Sequence, residues 1–411
     1  MALVVQKYGG TSVANLERMK NVADRALRTQ QEGHEVVMIV SAMAGETNRL
    51  LDLAHKAAAI PDTREMDALA ATGEQVSAAL MAMTIHTLGG QARSFLGHQI
   101  RVRTDRAHTK ARTQTVEGSK LRSTVEGGRI AVVAGFQGVD DDGNITTLGR
   151  GGSDTTAVAI AAAINADVCE IYTDVEGVFT TDPNICPSAR KIDRISYEEM
   201  LELASLGAKV LQIRSVELAM KYGVPVHVRS SFSDRPGTMV VAEEGGLEDV
   251  VVAGVAYDKS EAKVQLINVP DRPGIVATIF GALAEQNVSV DMIIQSPSRE
   301  GGTTTDVTFT VAKTDLTRCK TLIEQCCRGI GGAAIEYDND IVKVSIVGLG
   351  MRSHAGIAAK MFKLLSAENI NIQAISTSEI KVSCLIASKY TELAVRTLHD
   401  GFALDKTPGA D

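Results

Sequence analysis

The sequence lacks the features that mark several large classes of protein. No apolar run reaches the roughly 18–20 residues that span a bilayer, so we expect no membrane segment. There are 42 basic against 50 acidic residues, and the formal charge of −8 leaves no basic stripe for nucleic acid. No two of the six cysteines have C-x-x-C spacing. Since no signal peptide precedes the first predicted strand, we expect reduced thiols and a cytoplasmic location.

The two common phosphate-binding motifs are also missing from the start of the chain. In KYGGTSV, residues 7–13, the adjacent Gly9 and Gly10 exclude GxGxxG, and Lys7 precedes the glycines, which excludes GxxxxGK[ST]. The eight histidines form no obvious constellation. We interpret them as surface or core residues, and any catalysis then has to work without a histidine base.

The apolar runs that are present predict an open α/β sheet. A length of 411 residues favours two or three domains, and 45% hydrophobic with 22% charged residues is typical of globular chains. Short apolar runs at residues 3–5, 36–40, 130–134, 168–172 and 224–228 are separated by helical patterns. Such unbroken runs are typical of parallel strands buried on both faces. Ser196, with Glu199 three residues later, predicts a capping box.

Glycine-rich and polar clusters follow these strands, where open α/β sheets bind their ligands. Two of them, at residues 7–13 and 149–154, pair glycines with a cation, Lys7 or Arg150, before a helix. Glycine lets a ligand approach the backbone, and free N–H groups at a helix start attract anions. Paired glycines could instead only form tight turns. The neighbouring cations favour an anion site.

These clusters, KYGGTSV, GRGGSD and residues 173–183 (TDVEGVFTTDP), resemble the aspartokinases of the amino acid kinase superfamily. The usual first motif has phenylalanine where this chain has Tyr8, so an aromatic ring is kept. The resemblance covers nearly the whole chain. It implies a three-layer kinase sandwich with a mostly parallel sheet, and transfer of the γ-phosphoryl group of ATP to the side-chain carboxylate of aspartate.

The resemblance also implies roles for individual residues. Expected catalytic residues are Lys7, Asp154 and Lys209. Expected aspartate-binding residues are Ser41, Thr47, Glu74, Arg150, Gly151, Gly152 and Ser153. Expected ATP-binding residues are Lys7, Tyr8, Gly9, Gly10, Thr173, Asp174, Phe179, Thr180, Thr181, Asp182, Pro183, Lys209 and Val210. Without the resemblance, Asp154 could be a plain helix cap, and Glu74 and Lys209 could be solvated helix residues.

The chemistry of this reaction fits the residues. A carboxylate is ionised at pH 7, so the nucleophile needs no general base. We expect Mg²⁺ to arrive bound to ATP and assign it no protein ligand. The acidic stretch at residues 140–144 lacks the downstream glutamate of a calcium loop, and we interpret it as a solvated hairpin turn.

Beyond a polar linker at residues 243–249, the sequence repeats itself with an offset of 82 residues. The offset aligns Gly274 with Gly356 and Phe280 with Phe362, and the match continues through Asn287 and Asn369. Each copy predicts a strand, a helix that begins after glycine, a turn with asparagine and further strands. We expect a kinase domain at residues 1–245 and two repeat domains at 263–340 and 341–411. The C-terminal segment could instead complete the first copy.

The copies resemble ACT domains, ferredoxin-like α+β modules that often bind amino acids. The resemblance implies lysine, threonine or both as inhibitors, and homodimers formed through these domains; the copies could also serve dimerisation alone. Expected effector-binding residues are Asp271, Gly274, Ile275, Val276, Ala277, Asp291, Gln295, Asn371, Ile372, Ser378 and Glu379.

Two other classes of function stay open at this point. One is a related kinase for glutamate, acetylglutamate or UMP, which Arg150, Glu74 and the tandem repeat disfavour. The other is an inactive amino-acid sensor, which the intact Lys7, Asp154 and Lys209 disfavour.

Overall fold

A computed structural model describes residues 1–207, 210–243, 251–297, 304–329, 333–352 and 354–406. The chain forms two compact units, Met1–Phe179 with Lys191–Leu247, and Thr180–Arg190 with Glu248–Asp411. The first unit spans the expected kinase domain, residues 1–245, without residues 180–190, and the domain bounds themselves stay a prediction. The predicted linker lies almost wholly outside the described residues.

The first unit has an α/β architecture. Its strands are β1 (Leu3–Tyr8), β2 (Glu35–Val40), β3 (Ala92–Phe95), β4 (Arg103–Thr104), β5 (Thr113–Thr115), β6 (Ile130–Ala134), β7 (Gln137–Val139), β8 (Ile145–Thr147), β9 (Val168–Thr173), β10 (Arg194–Ser196), β11 (Val226–Ser230) and β12 (Thr238–Val241). Its helices are α1 (Leu16–Gln31), α2 (Glu46–Ala57), α3 (Thr63–Ala70), α4 (Thr72–Thr87), α5 (Ser119–Glu126), α6 (Gly152–Ala163), α7 (Tyr197–Ser205) and α8 (Ile213–Tyr222).

The main sheet has the order β10-β12-β11-β9-β1-β2-β6-β3 and is parallel except where β11 pairs with β12. Strand β1 lies in the middle, and its last residue, Tyr8, is opposite Val40 of β2 and Tyr172 of β9. The carboxyl ends of these three strands therefore meet at one edge of the sheet. The smaller sheet has the order β5-β4-β7-β8 and is formed by the segments at residues 103–115 and 137–147.

Helices cover both faces of the main sheet, as the unbroken apolar runs predict. Val36, Met38 and Val40 of β2 share one core with residues of α1 and α4. The residues between them, Val37 and Ile39, are fully buried too. Because neighbouring side chains of a strand point to opposite faces, the second face is also covered.

The predicted strands and the capping box are confirmed, with one shift. Ser196 Oγ accepts the Glu199 N–H at 3.1 Å, and the Glu199 carboxylate accepts the Ser196 N–H at 3.3 Å. The run predicted at 224–228 forms a strand only from Val226, because the Val224 N–H bonds to the Ala219 carbonyl of α8 and Pro225 has no N–H.

The second unit is α+β. Its strands are β13 (Gly254–Asp258), β14 (Glu261–Pro270), β15 (Val290–Pro297), β16 (Thr304–Ala312), β17 (Ala334–Asp338), β18 (Ile341–Val347), β19 (Ala374–Thr377) and β20 (Lys381–Ala387). Its α-helices are α9 (Ile275–Glu285), α10 (Leu316–Gly329), α11 (Ile357–Ala367) and α12 (Thr391–Gly401). The strands form two antiparallel sheets, with the orders β15-β16-β14-β17 and β13-β18-β20-β19.

The internal repeat is confirmed to the residue. Helices α9 and α11 begin and end 82 positions apart, after Gly274 with φ 96° and Gly356 with φ 93°. Asn287 and Asn369 both have φ 55°, a left-handed conformation that asparagine tolerates better than most residues. The two copies therefore share backbone geometry as well as sequence.

The C-terminal segment does not complete the first copy, an arrangement that the sequence had left open. Helix α12 packs against α11, β13 and β18, and its Val395 and Leu398 lie in the core of the second copy. Strand β13, which precedes the first copy in sequence, also pairs into the second sheet. Among the described residues, no helix has the length and apolar character needed to cross a bilayer.

Candidate active site

The first glycine turn lies directly beyond β1. The Gly9 carbonyl accepts the N–H groups of Ser12 at 2.9 Å and Val13 at 3.3 Å, which closes the turn. A Cβ atom on Gly10 would lie 2.8 Å from the Ala42 carbonyl oxygen. A side chain therefore has no room where the loops after β1 and β2 meet, and the bare backbone is a packing requirement at Gly10.

An ion pair joins this turn to the second glycine cluster. Lys7 Nζ lies 2.6 Å from Asp154 Oδ1, and each side chain is 12% exposed. Asp154 lies in the first turn of α6, which begins after Gly151 in a left-handed conformation with φ 71°. The start of α6 and the end of β1 are thus held together by opposite charges, beside helix N–H groups that favour an anion.

A cavity of about 540 Å³ opens at this edge of the sheet. Many residues singled out in the sequence line it together. They are Lys7, Gly10, Ser41, Thr47, Glu74, Arg150, Gly151, Gly152, Ser153 and Asp154. Since these residues come from four separate stretches of sequence, around residues 7–10, 41–47, 74 and 150–154, the fold brings Lys7, Arg150 and Glu74 to one space.

Glu74 is the most unusual charge in this cavity. Its side chain is 3% exposed, and Oε1 accepts the Ala42 N–H at 3.0 Å. Its second oxygen, Oε2, has no hydrogen-bond partner among the described residues. Burial raises the pKa of the Glu74 carboxyl to about 7. A buried carboxylate with a vacant oxygen favours a cationic ligand group.

The other cavity residues are positioned by local packing. A Cβ atom on Gly135 would lie 2.8 Å from Ser153 Oγ, so glycine there makes room for this hydroxyl. The exposed Arg150 is held by its backbone, because Gln212 Nε2 donates to the Arg150 carbonyl at 2.9 Å. The guanidinium stays available to a ligand.

Several residues expected at the nucleotide do not line the cavity. Tyr8 is fully buried and stacks on Tyr172, with ring centroids 4.6 Å apart. The Tyr8 ring is therefore enclosed in the core, and its expected contact with ATP stays a prediction. Thr173 is the last residue of β9 and Asp174 follows it; the Thr173 hydroxyl donates to the Asp174 carboxylate at 3.0 Å. Val210 is half-buried. Lys209 lies outside the described residues.

The structure assigns Thr180, Thr181, Asp182 and Pro183 to the second unit, which the sequence did not anticipate. Thr180 Oγ1 lies 2.9 Å from His399 Nε2, and Asp182 accepts a hydrogen bond from the Tyr257 hydroxyl at 3.0 Å. Thr180 and Thr181 are buried. These side chains therefore make contacts within the second unit, and their expected contact with ATP stays a prediction. Phe179 remains in the first unit, half-buried.

The sequence did not single out several other residues that line the cavity, namely Met66, Asp67, Ala70, Thr109, Phe136 and Thr147. Asp67 is 1% exposed. An aspartate on a polar helix is usually solvated, so nothing in its sequence neighbourhood indicated that it would be buried.

The expected effector residues lie in the second unit, in two groups. Those of the first copy are at the start of α9 and on β15, and those of the second copy flank β19. Asp291 of β15 forms an ion pair with the buried Lys343 of β18, which also pairs with Glu261. Although burial opposes it, the contact with Lys343 lowers the pKa of Asp291. Glu379 Oε2 lies 3.3 Å from Arg352 Nε.

Possible metal ligands occur at two places. The Asp140 carboxylate accepts the N–H groups of Asp142 and Asn144, so it closes its own turn. In the second unit, ligand atoms of Cys186, His399 and Asp400 lie within 4.8 Å of one another. Neither group lines the cavity.

Three segments of the chain match known families. Residues 2–230 match the model of the amino acid kinase family. Residues 265–327 and 344–402 each match a model of the ACT domain. The matched segments cover the cavity and both copies of the repeat.

Similar proteins match over almost the whole chain. An aspartokinase of Pseudomonas aeruginosa is 52% identical over 407 residues, which are 98% of this chain and 98% of the relative. An aspartokinase of Mycobacterium tuberculosis is 49% identical over 407 residues, which are 98% of this chain and 97% of the relative.

Solved structures match at lower identity. Escherichia coli aspartokinase III in complex with aspartate and ADP, in the R-state, has a TM-score of 0.80 at 26% identity, covering 97% of this chain and 99% of that one. Aspartokinase III in complex with lysine and aspartate, in the T-state, has a TM-score of 0.78 at 26% identity with the same coverage.

The raised pKa of Glu74 predicts a pH-dependent cost in stability. Its ordinary value is 4.5 and its folded value about 7, so the folded protein binds an extra proton between these pH values. The free energy of unfolding therefore falls as pH rises through this window, by about 3 kcal/mol. Glu74→Gln should stabilise the protein by up to this amount at pH 8 and by little at pH 4.5. Urea unfolding at both pH values measures the difference.

The exposed Glu126, changed to Gln, is the control, because its carboxylate stays solvated. Equal stability changes for both variants at both pH values would show that ionisation of Glu74 does not destabilise the folded protein.

Proposed function

The chain belongs to the amino acid kinase family, within the aspartokinases, and on this premise we propose that its cavity transfers the γ-phosphoryl group of ATP to the side-chain carboxylate of aspartate. The observation that carries the proposal is the cavity itself. It combines Lys7 beside a glycine turn, the free guanidinium of Arg150 and the buried acid Glu74. Free aspartate offers the matching groups, which are two carboxylates and an ammonium.

Lys7, Gly10 and the start of α6 form the phosphate side of the site. The backbone N–H groups and the lysine donate to the phosphoryl oxygens, and they stabilise charge that builds up in the transition state. Asp154 holds the Lys7 ammonium in place, because the two are 2.6 Å apart. Mg²⁺ bound to ATP would neutralise phosphate charge, and we assign it no protein ligand.

Arg150 and Glu74 form the amino-acid side. The planar guanidinium binds the α-carboxylate with two hydrogen bonds. The vacant Oε2 of Glu74 accepts from the α-ammonium. Because the Glu74 carboxyl has a pKa of about 7, binding of this cation displaces a proton near neutral pH.

The reaction then depends on position rather than on proton transfer. The β-carboxylate of aspartate is ionised and attacks the γ-phosphorus directly, with ADP as the leaving group, to give an acyl phosphate. Ser41, Thr47 and Ser153 line the cavity and orient this carboxylate by their hydroxyl groups. Because the carboxylate is already ionised, no histidine is needed as a base.

One assay distinguishes phosphorylation of aspartate from the reactions of related kinases. ATP consumption, coupled to detection of ADP, is measured with aspartate, glutamate, acetylglutamate and UMP as separate acceptors. We expect consumption with aspartate alone. Consumption that depends on another acceptor, or on none of the four, would overturn the proposal.

Replacing Lys7 should remove most of the turnover. Lys7→Ala deletes a charge that acts mainly in the transition state, so kcat should fall at least ~100-fold, roughly 2.7 kcal/mol. Steady-state kinetics measure the loss, and circular dichroism checks that the fold is intact. The exposed Lys20 of α1, changed to Ala, should leave kcat unchanged. A Lys7→Ala enzyme with nearly normal kcat would mean that Lys7 does not hold the phosphate.

Replacing Arg150 should affect the two substrates unequally. Lysine keeps the charge but not the two-pronged contact, so Arg150→Lys should raise the KM for aspartate by about tenfold or more and leave the KM for ATP nearly unchanged. The exposed Arg129, changed to Lys, serves as the control. Equal increases in both KM values would show that Arg150 does not bind aspartate specifically.

We further propose that the ACT copies bind lysine, threonine or both and inhibit the kinase, and that they form the contacts of a homodimer. Support comes from the two structurally equivalent helix starts at Gly274 and Gly356, which suit an amino acid's carboxylate. Asp291 of the first copy pairs with Lys343 of the second. An effector's ammonium competes for this carboxylate and so favours one arrangement of the copies over another.

Asp291→Ala should separate control from catalysis. It should raise the effector concentration for half inhibition and keep kcat and both KM values, because Lys343 retains Glu261 as its partner. Inhibition curves with lysine, threonine and their mixture measure this, and the exposed Asp340→Ala is the control. A wild-type enzyme that ignores both amino acids would contradict the regulatory proposal and leave the kinase proposal standing.

A further inference from the structure

Asp67 makes polar contacts with three residues, although the proposed reaction assigns it no role. It lies on α3, is 1% exposed and lines the cavity. Both of its oxygens accept the Thr109 N–H at 3.0 Å, Oδ1 accepts the Thr147 hydroxyl at 2.5 Å, and Oδ2 lies 2.8 Å from His108 Nδ1. A single buried carboxylate therefore ties a helix, a loop and a strand together.

The residue held most firmly by this carboxylate has a strained backbone. Thr109 has φ 69°, in the left-handed region that β-branched residues rarely adopt. Such a conformation persists only where its surroundings determine it. The hydrogen bond from the Thr109 N–H to Asp67 supplies that constraint, and Thr109 itself lines the cavity.

Thr109 in turn lies against the turn that carries Arg150. A Cβ atom on Gly149 would be 3.2 Å from the Thr109 carbonyl oxygen, so the two backbones are in contact. The same loop is fastened to the end of β8, because the Ala111 N–H donates to the Thr147 carbonyl at 2.9 Å. The tip of the β4–β5 hairpin, residues 105–112, is thereby a fixed wall of the cavity beside Gly149 and Arg150.

We propose that Asp67 is a positioning residue for the amino-acid side of the site. It holds Thr109 in its left-handed conformation, Thr109 supports the Gly149 turn, and this turn presents Arg150 to the α-carboxylate of the substrate. Asp67 does not touch the transferred phosphoryl group in this arrangement. The inference rests on the proposed function, since it assigns Arg150 the same partner.

Asp67→Asn tests the proposal with little change in shape. The amide has one acceptor oxygen and directs N–H groups at donors, so at least one of the hydrogen bonds to Thr109, Thr147 or His108 is lost. We expect the KM for aspartate to rise about tenfold, with kcat and the KM for ATP within about twofold of wild type. Steady-state kinetics with each substrate varied in turn give these values.

A matched control separates positioning from general stability. Asp140 is also a buried aspartate, 5% exposed; it closes a turn between β7 and β8 and does not line the cavity. Asp140→Asn should keep the wild-type KM for aspartate, and melting temperatures of both variants record how far each substitution destabilises the fold. An equal rise in KM for both variants would overturn the proposal.

A second substitution tests the mechanism directly. Glycine adopts a left-handed φ without cost, so Thr109→Gly in the Asp67→Asn background should recover several-fold of the lost affinity for aspartate. If Asp67 had only a structural role, Thr109→Gly would recover no affinity, and Asp67→Asn would change kcat and KM together. That result would reject the positioning role. If the wild-type chain does not phosphorylate aspartate, the proposed function itself is wrong. If the wild type does so and the Asp67→Asn variant has the same KM for aspartate, only this inference is refuted.

Discussion

The candidate site depends on the ion pair between Lys7 and Asp154. The lysine comes from the end of the central strand and the aspartate from the first turn of α6, so their contact sets the distance between the two glycine turns. Both side chains are mostly withdrawn from water, where desolvation offsets much of the attraction between charges. Such a pair adds little net stability. Its value lies in holding a cation at a fixed place beside open backbone N–H groups.

The second organising feature of the cavity is the buried carboxyl group of Glu74. In the part of the chain that the structure describes, nothing donates to its buried Oε2, so ionisation of the carboxyl costs stability. A binding site commonly accepts such a cost, because the ligand supplies the missing partner. Because Lys7 and Arg150 line the same cavity, it offers charges complementary to a small zwitterion with a second carboxylate and to a phosphate chain. Glutamate has the same charges, so the length of its side chain has to be excluded by the walls of the cavity.

Local patterns in the sequence predicted much of this molecule. Unbroken apolar runs, the Ser196–Glu199 cap and the 82-residue repeat each depend on neighbours within one element, and each was confirmed. Contacts made across the fold were not predictable in this way. Residues 180–190 form a polar loop with two prolines, but Ile185 is buried in the core of the second unit. Asp67 and Lys343 carry the charges of ordinary surface residues and are buried only because distant partners satisfy them.

The most direct test of the account is the identity of the phosphorylated product. An acyl phosphate reacts with hydroxylamine to give a hydroxamate, whereas ATP hydrolysis or transfer to a hydroxyl does not. The purified chain is therefore incubated with ATP, Mg²⁺, aspartate and hydroxylamine, and aspartyl hydroxamate and ADP are quantified together. The account predicts hydroxamate and ADP in equal amounts, both absent when aspartate is omitted. ADP formed without hydroxamate would contradict it.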